Sequence, residues 1–202
     1  MIISLQLKEK AVFIVGESLE AIKRANQFAG ENSKVTLYGS PSSELQALLN
    51  PGIVQRSRVP RRRELRKVFL VVATDGNIRI NKLLDNLQRK MNFLLNTLDA
   101  KSTCNFYHLA TRQLHGPIEI AVSTKGTSPA FASRYADRIR ESFTDKDREV
   151  YDAFLNARTG LKNLGISGFE FDWVELERLI RNHDIAEINS EISARVRSAV
   201  AK

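Results

Sequence analysis

The chain has 202 residues, a net charge of +8, 43% hydrophobic and 27% charged residues, the make-up of one globular domain or two small ones. That excludes a disordered chain, a collagen and a coiled-coil rod, and no apolar run approaches the ~18–20 residues of a membrane span. The opening MIISLQLKEKAVFIV lacks the basic head and small-residue cleavage site of a secretory signal, and the single Cys104 can form no internal disulfide and cannot alone hold a structural zinc, so a cytoplasmic location and no resident metal are expected.

Short apolar runs alternate with helical stretches over the first hundred residues. Ala11–Val15 reads as a strand buried on both faces and ends at Gly16. Leu19 to Ala29 reads as a helix with Leu19, Ile22, Ala25 (or Asn26) and Ala29 near one face. Lys34–Tyr38 and Ile53–Arg56 are further strands. Val68–Thr74 is the strongest of all. Asn77 to Lys90 is a helix with an apolar stripe of Ile80, Leu83, Leu84 and Leu87, and Asn92–Asn96 is a short strand. Alternation of this kind predicts right-handed crossovers and a Rossmann-like parallel sheet with helices on both faces, an α/β fold.

The pattern then changes. Ile118–Val122 reads as a strand of a second, smaller unit, and Thr124 to Pro129 as a turn and helix start, with Ser128 able to cap and Pro129 suited to the first helical position. Ala130 to Phe143 is predicted helical. Val150, Phe154, Ala157, Leu161 and Leu164 recur at helical spacing, and Trp173–Asn182 and Ile185–Ala201 complete an all-helical tail.

VFIVGESLEAIKRA is a strand, a tight turn and a helix. Dinucleotide folds use this unit because helix-start amides hold a pyrophosphate. Against the pattern G-x-G-x-x-G/A, the turn has Gly16 and the final Ala21, but Ser18 replaces the middle glycine. Glu17 and Glu20 place carboxylates near the expected phosphates, and the second strand ends in Leu37-Tyr38-Gly39-Ser40 without the usual ribose-binding acid. On the pattern alone, dinucleotide binding and a plain packing turn stay open. Arg56, Arg58, Arg61, Arg62, Arg63, Arg66 and Lys67 crowd into twelve positions. Without interleaved aromatics they read as a solvated basic loop and helix start rather than a nucleic-acid surface.

Together these pieces resemble the precorrin-2 dehydrogenase/sirohydrochlorin ferrochelatase family, which includes the N-terminal part of bifunctional sirohaem synthases. The matching residues are LKEKAVFIVGES and LEA near the start, Ala73, Thr74, Asp75 and Asn81 of an ATD-x(5)-N pattern, and NTLD at Asn96–Asp99. Ala121-Val122-Ser123, Gly126, Ser128 and Pro129 match a further AVS-x-x-G-x-SP element. Order and spacing agree over roughly residues 1–143. The resemblance implies a NAD-binding Rossmann-like domain at 1–112, a small dimerisation region at 113–143 and a helical C-terminal domain at 144–202 that completes a substrate cleft. It implies a homodimer and NAD-dependent oxidation of precorrin-2 to sirohydrochlorin, with insertion of Fe2+ or Co2+ as a further reaction of some members. These tetrapyrroles carry many carboxylates, so a basic cleft would steer them. No nucleic acid or membrane partner is expected.

The resemblance also assigns residues. Asp99 matches the family's aspartate for proton handling and is the expected general base, although a turn-capping role stays open. Gly16, Glu17, Ser18, Leu19 and Glu20 are expected at the pyrophosphate, Ser40 and Pro41 near the adenosine ribose, and Thr74 and Asp75 on the cofactor side, where Asp75 is equally good turn chemistry. Ser123, Gly126, Thr127 and Ser128 are expected to border the tetrapyrrole or else to form an ordinary capping turn. His108 stands where the family has an apolar residue. It reads as a substrate-side group, or as a structural histidine. His115 and His183 have no evident partners, and Cys104 reads as an inert thiol. Two alternatives remain: a ferrochelatase with weak or lost NAD binding, motivated by Glu17, Ser18 and Glu20, and a non-catalytic tetrapyrrole-binding paralogue.

Overall fold

The computed structural model describes residues 2–98, 100–169, 171–183, 190 and 192–196. The chain divides into two compact units, residues 1–108 and 109–202.

The first unit is built on five strands: β1 (Ala11–Val15), β2 (Lys34–Tyr38), β3 (Val54–Arg56), β4 (Leu70–Ala73) and β5 (Leu94–Thr97). All pair in parallel, in the spatial order β3-β2-β1-β4-β5. The order reverses between β1 and β4, and crevices for ligands open there at the carboxyl ends of the strands. The doubly wound sheet expected from the alternating pattern is therefore present.

Two cores flank the sheet because alternate residues of each strand face opposite ways. Val12 and Ile14 of β1 join Leu37, Leu70 and Val72 beneath α1 (Leu19–Gly30), through its Ala21, Ile22, Ala25 and Phe28. Phe13 and Val15 join Tyr38, Val71, Ala73 and Leu95 on the other face, beneath Leu84 of the helix Ile78–Met91. The buried stripe of α1 is thus rotated from the expected one, and Leu19, 45% exposed, lies outside it. Leu83 is likewise exposed on the helix Ile78–Met91.

Two helical turns of four residues escaped the sequence pattern: α2 (Ser43–Gln46) and α3 (Arg62–Leu65); the helix Ile78–Met91 is α4. Asn92 ends α4 in the left-handed conformation (φ 57°), so β5 starts later than the expected Asn92. The outer edge of β5 is not open. Asn105 donates its amide to Leu95 O (3.0 Å), accepts from Leu95 N–H through Oδ1 (2.7 Å) and donates Nδ2 to Phe93 O (3.2 Å).

The second unit contains a hairpin, β6 (Ala110–His115) and β7 (Ile118–Val122), with α5 (Pro129–Ser142), α6 (Asp145–Asn163) and α7 (Trp173–Asn182). β6 was not anticipated. Arg112 on β6 makes a two-pronged bond to Asp137 of α5 (2.7 and 3.1 Å). α6 starts with a reciprocal cap between Thr144 and Asp147, and Thr144 and Arg181 hold the Asp147 carboxyl down at about 2. Val150, Ala153, Ala157 and Leu161 of α6 pack on Leu176, Leu179 and Ile180 of α7. Most of the expected helix Ile185–Ala201 lies outside the described residues. No described helix is long and apolar enough to cross a membrane.

Candidate functional site

A cleft of about 300 Å3 opens at the carboxyl ends of β1, β2 and β4, the strand-order reversal. Gly16, Glu17, Gly39, Ser40, Arg58, Asp75 and Asn81 are among the residues that line it.

The turn after β1 is shaped by its neighbours. Gly16 sits at φ 157°, and a Cβ on it would lie 2.6 Å from Asp75 Oδ1 and collide with Thr74 Oγ1. The Asp75 carboxylate reaches back over this turn. It accepts from the Glu17 amide (2.6 Å), the Ser18 hydroxyl (2.8 Å) and the Thr74 hydroxyl (2.8 Å). Ser18 Oγ also accepts from Ala21 N (3.4 Å), capping α1. The serine in place of the middle glycine is therefore folded onto the turn as a cap.

The two acids that the sequence sets against a pyrophosphate are drawn elsewhere. Glu20 pairs with Arg24 one turn along α1 (2.8 Å). Glu17 Oε1 accepts from Ser40 N–H (2.9 Å) at the end of β2. The amides of Leu19 and Glu20, in the first turn of α1, have no intrahelical acceptor and none among the described residues. They, with the helix dipole, can hold a phosphate.

The far wall comes from the basic run. Arg58 is held by both oxygens of Glu64 (2.8 and 2.7 Å) and lies over the Tyr38 ring at 5.5 Å. Arg58 and the Arg61 amide hold the Glu64 carboxyl down at about 2, while burial and Glu64 raise the Tyr38 hydroxyl. Arg61, Arg62, Arg63, Arg66 and Lys67 are exposed.

Of the expected cofactor residues, Gly16, Glu17, Ser40 and Asp75 line the cleft. Ser18 and Thr74 bond to Asp75. Leu19 is exposed, Glu20 faces Arg24, and Pro41 is buried. Tyr38, Ser57, Arg58, Asn77, Ile80 and Asn81 also line it and were not expected there. Asn81 had a signal, as the asparagine of the ATD-x(5)-N pattern, and it is only 5% exposed.

Asp99 lies outside the described residues. On either side of it, Leu98 N–H donates to Ala73 O (3.2 Å) and Ala100 N–H to Thr97 O (3.1 Å). Cys104 is bonded into this loop, its thiol donating to Thr97 O (3.3 Å).

His108 belongs to the first unit. Its ring lies 5.8 Å from that of Phe28 and 5.3 Å from that of Phe106. Burial and the nearby Arg24 lower its pKa to about 4, so it is neutral at pH 7. Its Nε2 and the Asn96 Oδ1 are buried without a hydrogen-bond partner. His115 has neighbours that the sequence did not reveal: Asp152 at 3.9 Å and the Tyr151 ring.

In the second unit, Ser123, Gly126, Thr127 and Ser128 share the turn between β7 and α5. Lys125 and Gly126 are left-handed (φ 52° and 72°). Thr127 donates to Thr124 O (2.7 Å), and Ser128 Oγ accepts from Phe131 N (3.4 Å), capping α5. Ser123 Oγ accepts from the Lys125 amide (3.1 Å), which leaves its proton free to donate.

A family model described as "Putative NAD(P)-binding" matches residues 3–110. A precorrin-2 dehydrogenase of Priestia megaterium is 27% identical over 169 residues, 82% of this chain and 82% of the relative. A siroheme synthase of Mannheimia succiniciproducens is 25% identical over 135 residues, 66% of this chain. The chain spans 28% of the length of that synthase. The solved structure of SirC, a precorrin-2 dehydrogenase, superposes over the full length of both chains with a TM-score of 0.62 at 17% identity, a likeness of fold. The chain therefore belongs to the NAD(P)-binding family of that model and, within it, to the precorrin-2 dehydrogenase and siroheme synthase group that its motifs resemble.

Proposed function

We propose that the protein is a NAD-dependent precorrin-2 dehydrogenase, oxidising precorrin-2 to sirohydrochlorin. The observation that carries this reading is the cleft at the β1–β4 reversal, with the Gly16 turn and the start of α1 on its rim. The likeness to the Priestia megaterium precorrin-2 dehydrogenase, which matches most of both chains, supports this choice of substrate.

The residues present fit a dinucleotide. Leu19 and Glu20 amides would hold the diphosphate, and Ser40 with Pro41 would flank the adenosine ribose. Thr74 and Asp75 keep the turn in shape. Bound NAD supplies a hydride acceptor. Loss of hydride from a ring carbon leaves the substrate cationic, and a proton must then go to a base. Asp99, two positions beyond the end of β5, is the carboxylate we assign to take it.

The Ser123 and Ser128 hydroxyls, whose oxygens accept from the Lys125 and Phe131 amides, keep protons to donate to the substrate's carboxylates, while Thr127 is turned onto Thr124 and Gly126 shapes the turn in the left-handed conformation. His108, its Nε2 buried and its ring packed beside Phe28 and Phe106, is given no substrate contact. The exposed arginines of the 56–67 run favour approach of a polyanion. A homodimer through the hairpin and α5 is part of the same proposal. On α5, Phe131 and Tyr135 stack at 5.7 Å while 60% and 44% exposed.

The test is titration of the purified chain with NADH, followed by an anaerobic assay with precorrin-2 and NAD. Saturable binding and catalytic formation of sirohydrochlorin are expected. Binding without turnover would leave only a binding protein. Metal insertion into sirohydrochlorin without NAD binding would assign a chelatase instead.

A further inference from the structure

We infer that Glu17 selects NAD over its 2′-phosphorylated form by accepting a hydrogen bond from the adenosine ribose. The inference rests on the dinucleotide reading above and concerns the same cleft. Dinucleotide folds commonly carry an acidic residue at the end of the second strand, where it accepts from the ribose hydroxyls. Here that strand ends Tyr38-Gly39-Ser40, with no acid. Glu17 fills the gap from a different loop. Its carboxylate spans from the turn after β1 to the end of β2, where Oε1 accepts from Ser40 N–H at 2.9 Å.

A second, independent feature fixes that direction. Gly39 sits at φ 157°, and a Cβ there would lie 2.9 Å from Glu17 Cγ. The stem of Glu17 therefore rests on the bare backbone of Gly39. Gly16 N–H donates to Tyr38 O at 3.0 Å, tying the two loops together. Glu17 Oε1 serves Ser40, while Oε2 has no partner among the described residues and faces the role of ribose acceptor.

The same arrangement rejects a 2′-phosphate. The phosphate would meet the Glu17 carboxylate, with Asp75 in the same cleft. The Ser40 amide, a natural phosphate donor, is already taken by Glu17. Arg58 is the cation in the wall, but its guanidinium is closed on Glu64 by two bonds. Arg56 also leans on Glu64, at 3.9 Å.

The experiment measures dissociation constants of NADH and NADPH for the full chain and for Glu17→Gln, by nucleotide fluorescence. Glutamine keeps an acceptor for Ser40 N–H, so thermal unfolding should not move. The wild type should bind NADH at least ~tenfold more tightly than NADPH, and Glu17→Gln should weaken NADH ~tenfold and bring the ratio near one. A ratio unmoved by the substitution, or a wild type that prefers NADPH, overturns the inference and leaves the dinucleotide reading standing. A wild type that binds neither nucleotide overturns both.

Discussion

Asp75 and Glu17 meet across the mouth of the β1 turn, where the Asp75 carboxylate accepts the Glu17 amide at 2.6 Å. The same carboxylate takes the Ser18 and Thr74 hydroxyls. A fixed anion thus occupies one of the amides at the turn proposed to hold the diphosphate. It holds the turn closed, and its charge would oppose a diphosphate bound there.

Those two effects separate by mutation. Asp75→Ala removes all three hydrogen bonds and should cost about 1–2 kcal/mol of stability. Asp75→Asn keeps an acceptor but removes the charge. It should bind NADH more tightly than wild type with little change in melting temperature. Weaker NADH binding by Asp75→Asn would show that the charge itself is needed.

Ser18→Gly tests the turn from the other side. The serine caps α1 weakly (3.4 Å to Ala21 N) and donates to Asp75 (2.8 Å), so glycine there should cost about a few tenths of a kcal/mol for the cap and about 1 kcal/mol for the lost bond. NADH binding should tighten, because the backbone can then come closer to the phosphates. Unchanged affinity, measured by titration, would show that Ser18 does not obstruct the cofactor.

His108 sets a pH dependence of stability. Its pKa is lowered to about 4 in the folded chain by burial and Arg24, against an ordinary value of about 6.5. The unfolded chain therefore takes up a proton that the folded chain refuses. Stability falls as pH drops from about 6.5 towards 4, by up to about 1.4 kcal/mol per pH unit. His108→Phe keeps a ring against Phe28 and Phe106 and should flatten that decline in urea unfolding at pH 7, 5.5 and 4.5. A variant that declines as steeply as wild type would remove His108 from this role.

Asp99→Asn should abolish the proton step while sparing the cofactor. Turnover of precorrin-2 should fall about 10²–10⁴-fold, with NADH affinity unchanged. Normal turnover in that variant would release Asp99 from the role of base.

The parallel sheet was legible because β1, β2 and β4 are apolar runs, and α1 and α4 carry helical periodicity. β6 was not, since ATRQLH mixes polar residues into a half-buried strand and its Arg112 is matched by Asp137, far along the chain. Gly16, Ser40 and Asp75 were legible as cleft residues from turn chemistry and strand ends. Tyr38, Ser57 and Arg58 were not. The parallel pairing of β3 with β2 brings them to the cleft, and no local pattern encodes that pairing. Nor does spacing show where Glu17 and Glu20 turn: one finds an amide on the neighbouring strand end, the other an arginine on its own helix.

Asn105 gives β5 something a sheet margin normally lacks. Its amide and side chain occupy backbone groups of Phe93 and Leu95 that a foreign strand would otherwise recruit. One residue thereby acts as a stub of a sixth strand and blocks intermolecular β-pairing. Protection against fibrillar association is thus built into the loop that follows the proposed base.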